Sequence, residues 1–105
     1  MLDAAREALV FAKGRGRVDL DRDRMLVMAV LKEVEIIGEA AAKVSEETRA
    51  AHPEVPWPKI MGMRHRLVHV YFDVDLDRVW GTINKDLPVL ITLIEPLIET
   101  SSQGG

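Results

Sequence analysis

Between the acidic residues Asp19, Asp21 and Asp23 and the pair His52-Pro53, apolar residues recur with helical spacing over a longer span than anywhere else in the chain. Val27, Val30, Leu31, Val34, Ile37, Ala41 and Val44 follow i, i+3, i+4 intervals and so share one helix face. Carboxylates at the start suit the positive end of a helix dipole, and Pro53 closes the far end. The pattern predicts one long helix from Asp19 to Asp23 at its start to about Ala51. Met25, Met28, Ala29, Ile36 and Ala40 widen the apolar stripe, leaving part of it for a partner once one face has packed within the chain's own bundle. Gly38 costs a helix interior about 1 kcal/mol relative to alanine, which implies close approach by another backbone or side chain. Glu35, Glu39 and Lys43 share a face at i, i+4 spacing. They form either a solvated ion-pair row or, at Glu39, a carboxylate that orients Arg64.

The remaining elements are shorter. Leu2 to Lys13 reads as a helix with Ala5, Leu9 and Ala12 on one face, ended by the glycines of Gly14-Arg15-Gly16-Arg17. No strand precedes that stretch and it fits neither Gly-rich phosphate fingerprint, so it reads as a turn. Residues 52–58, HPEVPWP, form an extended connector with Pro58 near the first turn of a third helix. Ile60, Met63, Leu67 and Val70 give that helix a buried stripe, and it frays near Tyr71 to Asp73. Asp75 is the expected N-cap of a last helix from Leu76, with Val79, Trp80, Ile83 and Leu87 toward the core. Pro88 kinks or restarts it. Leu90, Ile91, Leu93, Ile94, Leu97 and Ile98 carry the apolar pattern to Glu99, leaving residues 101–105 as a flexible tail. With no alternating strand of convincing length, the expected fold is an all-α bundle of four to five helices forming one domain over residues 1–100.

Composition narrows the function classes. A chain of 105 residues, 48% hydrophobic and 30% charged, suits one globular domain whose modest core would gain from a partner subunit. It has no cysteine, which excludes thiolate nucleophiles and cysteine zinc sites. The amino-terminal apolar run is too short and interrupted for a signal peptide or membrane span, so a cytoplasmic location without membrane contact is expected. A formal net charge of -3 repels RNA weakly, and any nucleic-acid binding must come from a local basic patch or a transient encounter.

Chemistry-bearing residues gather in one segment, Trp57 to Asp77, which holds Arg64, His65, His69 and Tyr71. Arginine presents a planar fork of donors to phosphate, and histidine moves protons near neutral pH, so the pairing suits phosphodiester chemistry. His65 and His69 also have the i, i+4 spacing of a two-histidine metal pair. No acidic catalyst lies between them, Arg64 and Arg66 bring positive charge, and no third ligand is evident, so no metal is expected. On a continuous helix Arg64 and His69 would lie about 140° apart. Either the helix loosens before His69, or Arg64 reaches around, or the two groups meet across a dimer. Trp57 and Trp80 read as core or interface anchors, whereas Phe72 suits either packing or the cleft.

The sequence IMGMRHRLVHVYFDVDLDRVW, with its R-x4-H-x-Y core, resembles the HepT-like toxins of the HEPN superfamily, whose usual form is close to IIGMRNRLVHGYF. The likeness extends over roughly residues 20–98, through EIIGEAAAKVSEETRAAHPEVPW and VWGTINKDLPVL; His65 stands where the family usually has asparagine. The resemblance implies a HEPN-like up-and-down bundle, dimeric, and a metal-independent endoribonuclease without cofactor. It assigns catalysis to Arg64 and His69 at a composite dimer site, with His65 supporting or binding substrate. The implied partners are RNA, a second copy of the chain and an MNT-type nucleotidyltransferase antitoxin. Tyr71 would be the acceptor of AMP from that antitoxin. The alternative is a non-catalytic HEPN interaction module or regulatory subunit of a nucleotidyltransferase; with no Walker motif here, nucleotide binding would then belong to the partner.

Overall fold

A computed structural model describes residues 1–69 and 73–104, with side chains for 1–69 and 73–98. Among the described residues the chain is all-helical, but its helices are more numerous and shorter than the periodicity indicates. They are α1 (Leu2–Ala12), α2 (Arg17–Arg22), α3 (Arg24–Lys43), α4 (Glu46–Ala51), α5 (Trp57–Met61), α6 (Met63–Leu67), α7 (Leu76–Gly81) and α8 (Leu87–Gly104), with a π-helical turn at Thr82–Asp86 between the last two. α1 packs on α3 and α8, and α3 also packs on α5, α6 and α7, so α3 is the central element.

The expected single helix from Asp19–Asp23 to Ala51 is thus three. Asp23 separates α2 from α3: its carboxylate accepts from the Leu26 backbone N–H at 3.1 Å and receives Arg15 Nη2 at 2.7 Å. The Arg15 guanidinium, with the Leu26 N–H, holds the Asp23 carboxyl below its usual range. At the other end Val44 turns extended, and Ser45 Oγ accepts from Thr48 N–H at 3.1 Å to cap α4. An N-cap hydroxyl supplies an acceptor that the free first-turn amides need, so the chain restarts there. Gly14 takes φ +75°, the left-handed conformation expected of the turn after α1.

Val27, Val30, Leu31, Val34, Ile37 and Ala41 of α3 are buried, and Val44 packs at the edge of the same cluster. Ile60, Met63 and Leu67 bury from α5 and α6; Val79, Ile83 and Leu87 bury from the last arm, where Trp80 is half-buried. A Cβ on Gly38 would lie 3.4 Å from the Met61 carbonyl oxygen and 3.5 Å from that of Ile60. The α5 backbone therefore passes close against α3 at this glycine, the close approach that its position in the helix implied. Trp57 is an anchor of a particular kind: its indole Nε1–H donates to the carbonyls of Arg49 (3.2 Å) and His52 (3.1 Å), tying the connector to α4. At Pro88 the helix restarts as expected: the turn before it is π-helical, closed by the Leu87 N–H bonding the Thr82 carbonyl, and α8 begins at Leu87 with Pro88 in its first turn, where a missing N–H costs no intrahelical bond. The backbone remains helical to Gly104, past the end of the apolar pattern.

One core carboxylate is out of place. Glu33 of α3 is only 7% exposed, and among the described residues its Oε2 has no hydrogen-bond partner. Burial, with a smaller contribution from the Glu7 charge, pushes its carboxyl above the usual 4.5. The folded chain then holds this proton more tightly than the unfolded chain. Glu33's contribution is therefore most favourable below about pH 4.5 and declines as pH rises through the raised folded value. Glu33→Gln should lack that decline and unfold with a free energy about 1 kcal/mol higher than wild type near pH 7. Urea titrations at about pH 4 and about pH 7 check this, since equal differences at both would remove the carboxylate as the cause.

Candidate functional site

The expected continuous motif helix does not form. α5 ends at Gly62, which sits at φ -96° and ψ 4°, and α6 begins immediately after and stops at Leu67. Val68 then turns extended and pairs with Val74 in an isolated antiparallel bridge. The Asp75 N–H bonds the Leu67 carbonyl at 2.8 Å, and the His69 N–H bonds the Asp73 carbonyl at 2.7 Å. β-branched Val68 and Val74 favour this extended pairing over another helical turn. Of the three resolutions open at the sequence level, the first holds: the helix ends before His69. Fraying near Tyr71 to Asp73 is therefore corrected to an end at Leu67. Val70, Tyr71 and Phe72, and with them the acceptor role expected of Tyr71, lie outside the described residues.

Arg64 and His69 consequently hang from different supports. Arg64, on α6 with a side chain 38% exposed, faces α3, where its Nε lies 3.7 Å from Glu35 Oε2. Glu35 also pairs with Lys32 at 3.7 Å. The carboxylate that holds Arg64 is thus Glu35; Glu39, the candidate from spacing, is exposed and forms no ion pair with it. The two glutamates are one helical turn apart, and only the placement of α6 on α3 distinguishes them.

His69 points the other way along the chain. Its side chain is 54% exposed, and Nε2 lies 3.8 Å from Asp75 Oδ2. That separation is an ion-pair distance rather than a hydrogen bond, so Asp75 acts on the ring through charge. The same carboxylate caps α7 by accepting from the Arg78 N–H at 3.1 Å and meets Arg78 Nε at 3.3 Å. The cap expected at Asp75 is present, and its second role beside His69 is one that sequence spacing missed. The only signal was position: a cap four residues before Val79 also stands six residues after His69.

Arg64 lines a shallow groove with Arg24, Met28, Leu31, Lys32, Glu35, Val68 and Val74. His69 follows directly on the groove wall at Val68. Among the described residues no hydrogen bond or ion pair joins Arg64 to His69, and the exposed imidazole of His65 has no polar partner. Because α6 ends between them, His65 and His69 do not share a helix face as their i, i+4 spacing suggests, and no group of three or more His, Asp or Glu suited to a metal ion occurs among the described residues. No helix among them is long and apolar enough to cross a membrane.

An arginine and a histidine, each with a carboxylate within 4 Å, thus stand at one open groove of an all-helical domain. The chain belongs to the HepT-like ribonuclease family, whose profile matches residues 1–97. It is 38% identical over 87 residues to a candidate RNase of Caldanaerobacter subterraneus subsp. tengcongensis, covering 83% of this chain and 78% of that one. Identity is 39% over 75 residues to "Probable ribonuclease HepT" of Thermococcus cleftensis, covering 71% and 68% of the two chains. A candidate RNase of Methanocaldococcus jannaschii is 30% identical over 95 residues, covering 90% of this chain and 87% of its own. No solved structure matches.

If Asp75 holds His69 through charge, a substitution that preserves the cap isolates that role. Asn caps helices about as well as Asp, so Asp75→Asn should leave thermal stability nearly unchanged. RNA cleavage should fall on the order of tenfold in kcat with KM little altered, because the cap stays while the charge behind His69 is lost, together with an exposed pair to Arg78 that contributes little. Equal kcat in the two proteins would confine Asp75 to capping.

Proposed function

We propose that this protein is a metal-independent endoribonuclease that cleaves RNA by attack of the 2'-hydroxyl on the adjacent phosphorus. His69 takes the 2'-hydroxyl proton or gives one to the departing 5'-oxygen. The Arg64 fork binds the non-bridging oxygens as negative charge grows on the phosphorane. The new bond is 2'-O to phosphorus and the broken one is phosphorus to 5'-O, leaving a 2',3'-cyclic phosphate and a free 5'-hydroxyl. The observation that carries this reading is the release of His69 from the helix to an exposed position beside the Val68–Val74 bridge, with Asp75 behind it.

In-line transfer uses a base on one side and an acid on the other, and one His69 cannot occupy both places. A two-fold dimer supplies the second copy. Support comes from α3, where Met25 (82% exposed), Met28 and Ile36 remain open on the face that carries Glu35 and Lys32. That apolar stripe borders the Arg64 groove, so a partner covering it brings its own Arg64 and His69 alongside. His65 takes the polar place beside the scissile phosphate. The protein acts as the toxin of a pair whose nucleotidyltransferase antitoxin silences it by transferring AMP to Tyr71, adding charge that repels RNA and competes for Arg64.

Purified wild type incubated with labelled RNA in excess EDTA tests the reaction. Products ending in 2',3'-cyclic phosphate or its 3'-phosphate hydrolysis product are expected. Failure of folded, unmodified wild type to cut any of several varied RNAs would replace the enzyme with a non-catalytic helical partner module.

A further inference from the structure

On the opposite side of α6 from Arg64 lies a second concave surface, away from the Arg64 groove. Two adjoining hollows of about 310 and 200 Å³ share Met63, Arg66, Lys85 and Asp86 in their walls, and Lys59 and Arg78 stand at their outer ends. The positive charge here is uncommitted. Lys59, Arg66 and Lys85 form no ion pair among the described residues; Lys13, Arg22, Arg24, Lys43 and Arg49 also form none, but the first three line one hollow together, whereas Arg6, Arg15, Arg17, Lys32 and Arg64 each face a carboxylate. Arg66 uses one guanidinium nitrogen to bond the Lys59 carbonyl, which fixes the arm and leaves the rest of its fork outward. One acid, Asp86, lies in the wall, and it is engaged in accepting from Thr82 Oγ1 at 3.3 Å. In a chain of formal charge -3, three free cations converging on one hollow form a local reversal of sign.

The surface is also continuous with the candidate site. Arg78 at its edge meets Asp75 Oδ2 at 3.3 Å, and that oxygen lies 3.8 Å from His69 Nε2. A strand leaving His69 past α7 therefore enters the hollow at Arg78 and reaches Lys85, Arg66 and then Lys59. We infer that Lys59, Arg66 and Lys85 bind the backbone phosphates of single-stranded RNA flanking the scissile bond, an inference that rests on the nuclease reading and gives its substrate a direction. Floor residues Met63, Val89 and Leu90 are apolar, and no aromatic ring lines the hollow among the described residues. Without a stacking platform the track reads charge and spacing rather than bases, so binding there is indifferent to sequence and steep in salt.

The test is binding of a single-stranded 2'-O-methyl oligonucleotide, which cannot be cleaved, as a function of salt, for wild type and for Lys59→Gln/Arg66→Gln/Lys85→Gln. Each phosphate contact on a single strand contributes about 0.7 to the slope of log K against log salt, so the triple variant should lose about 2 units of slope. Its affinity at about 0.1 M salt should fall between tenfold and a hundredfold. Lys59→Gln/Lys85→Gln leaves the Arg66 to Lys59 carbonyl bond in place and should lose about 1.4 units, which guards against a folding defect in the triple variant. Cleavage of a dinucleotide, too short to reach the track, should proceed alike in wild type and both variants. Unchanged slope and affinity in both variants would overturn the inference even if wild type cuts RNA. Loss of slope in the variants, with a wild type that cuts nothing, would instead keep the track and overturn the nuclease. Polyglutamate displacing the oligonucleotide as effectively as RNA would mark an acidic-protein surface and overturn the assignment to RNA.

Discussion

His69→Ala should abolish RNA cleavage while leaving fold and oligomeric state intact. The side chain is more than half exposed and contributes no hydrogen bond to the core, so its removal leaves no cavity. Loss of one positioned proton carrier lowers kcat by on the order of 10²–10⁴-fold, and a site that uses two copies loses both transfers together. Subunit mixing separates the two architectures. If both His69 side chains serve one composite cleft, adding excess variant to wild type makes activity fall with the square of the wild-type fraction. A self-sufficient protomer would give a linear fall. Activity of the pure variant within a fewfold of wild type would remove His69 from the chemistry altogether.

Arg64→Lys should be nearly as damaging as Arg64→Ala. Lysine keeps the charge, but the ammonium offers no planar fork for two phosphate oxygens, and Glu35 at 3.7 Å is placed to orient a guanidinium. Removing a preorganised donor to developing oxyanion charge costs on the order of 10²–10³-fold in kcat, with a smaller change in KM because the charge grows in the transition state. Comparing kcat and KM for the lysine and alanine variants on one short RNA decides it. A lysine variant within about threefold of wild type would show that Arg64 supplies only a diffuse positive field.

The central face of α3 was readable from spacing because burial depends there on periodicity alone: six of the seven stripe residues are buried and Val44 lies at the edge. Ends of elements were less readable. Ser45 followed by Glu46 and Glu47 carries a helix-start signal, yet the surrounding helical composition hides it, and the structure restarts α4 there. The end of α6 depends on Val68 pairing with Val74, a bridge that helical periodicity does not encode although the two residues are only six apart. Gly38 announced a close approach but not its partner, the α5 backbone. Arg64 and His69 stood out by type and motif, whereas their carboxylates did not. Glu35 and Glu39 differ by one turn of the same face, and Asp75 acquires His69 only because the helix stops early.

The bare Cα of Gly38 marks a place where this protein can be made sturdier. Helix-interior glycines are standard targets for thermostabilisation, and alanine here would recover up to about 1 kcal/mol of helix propensity. The added methyl would rest 3.4 Å from the Met61 carbonyl oxygen and 3.5 Å from that of Ile60, ordinary van der Waals contact, so it touches the α5 backbone without displacing it. Heat resistance can therefore be raised at this seam while the support of the neighbouring α6, and Arg64 upon it, stays where it is.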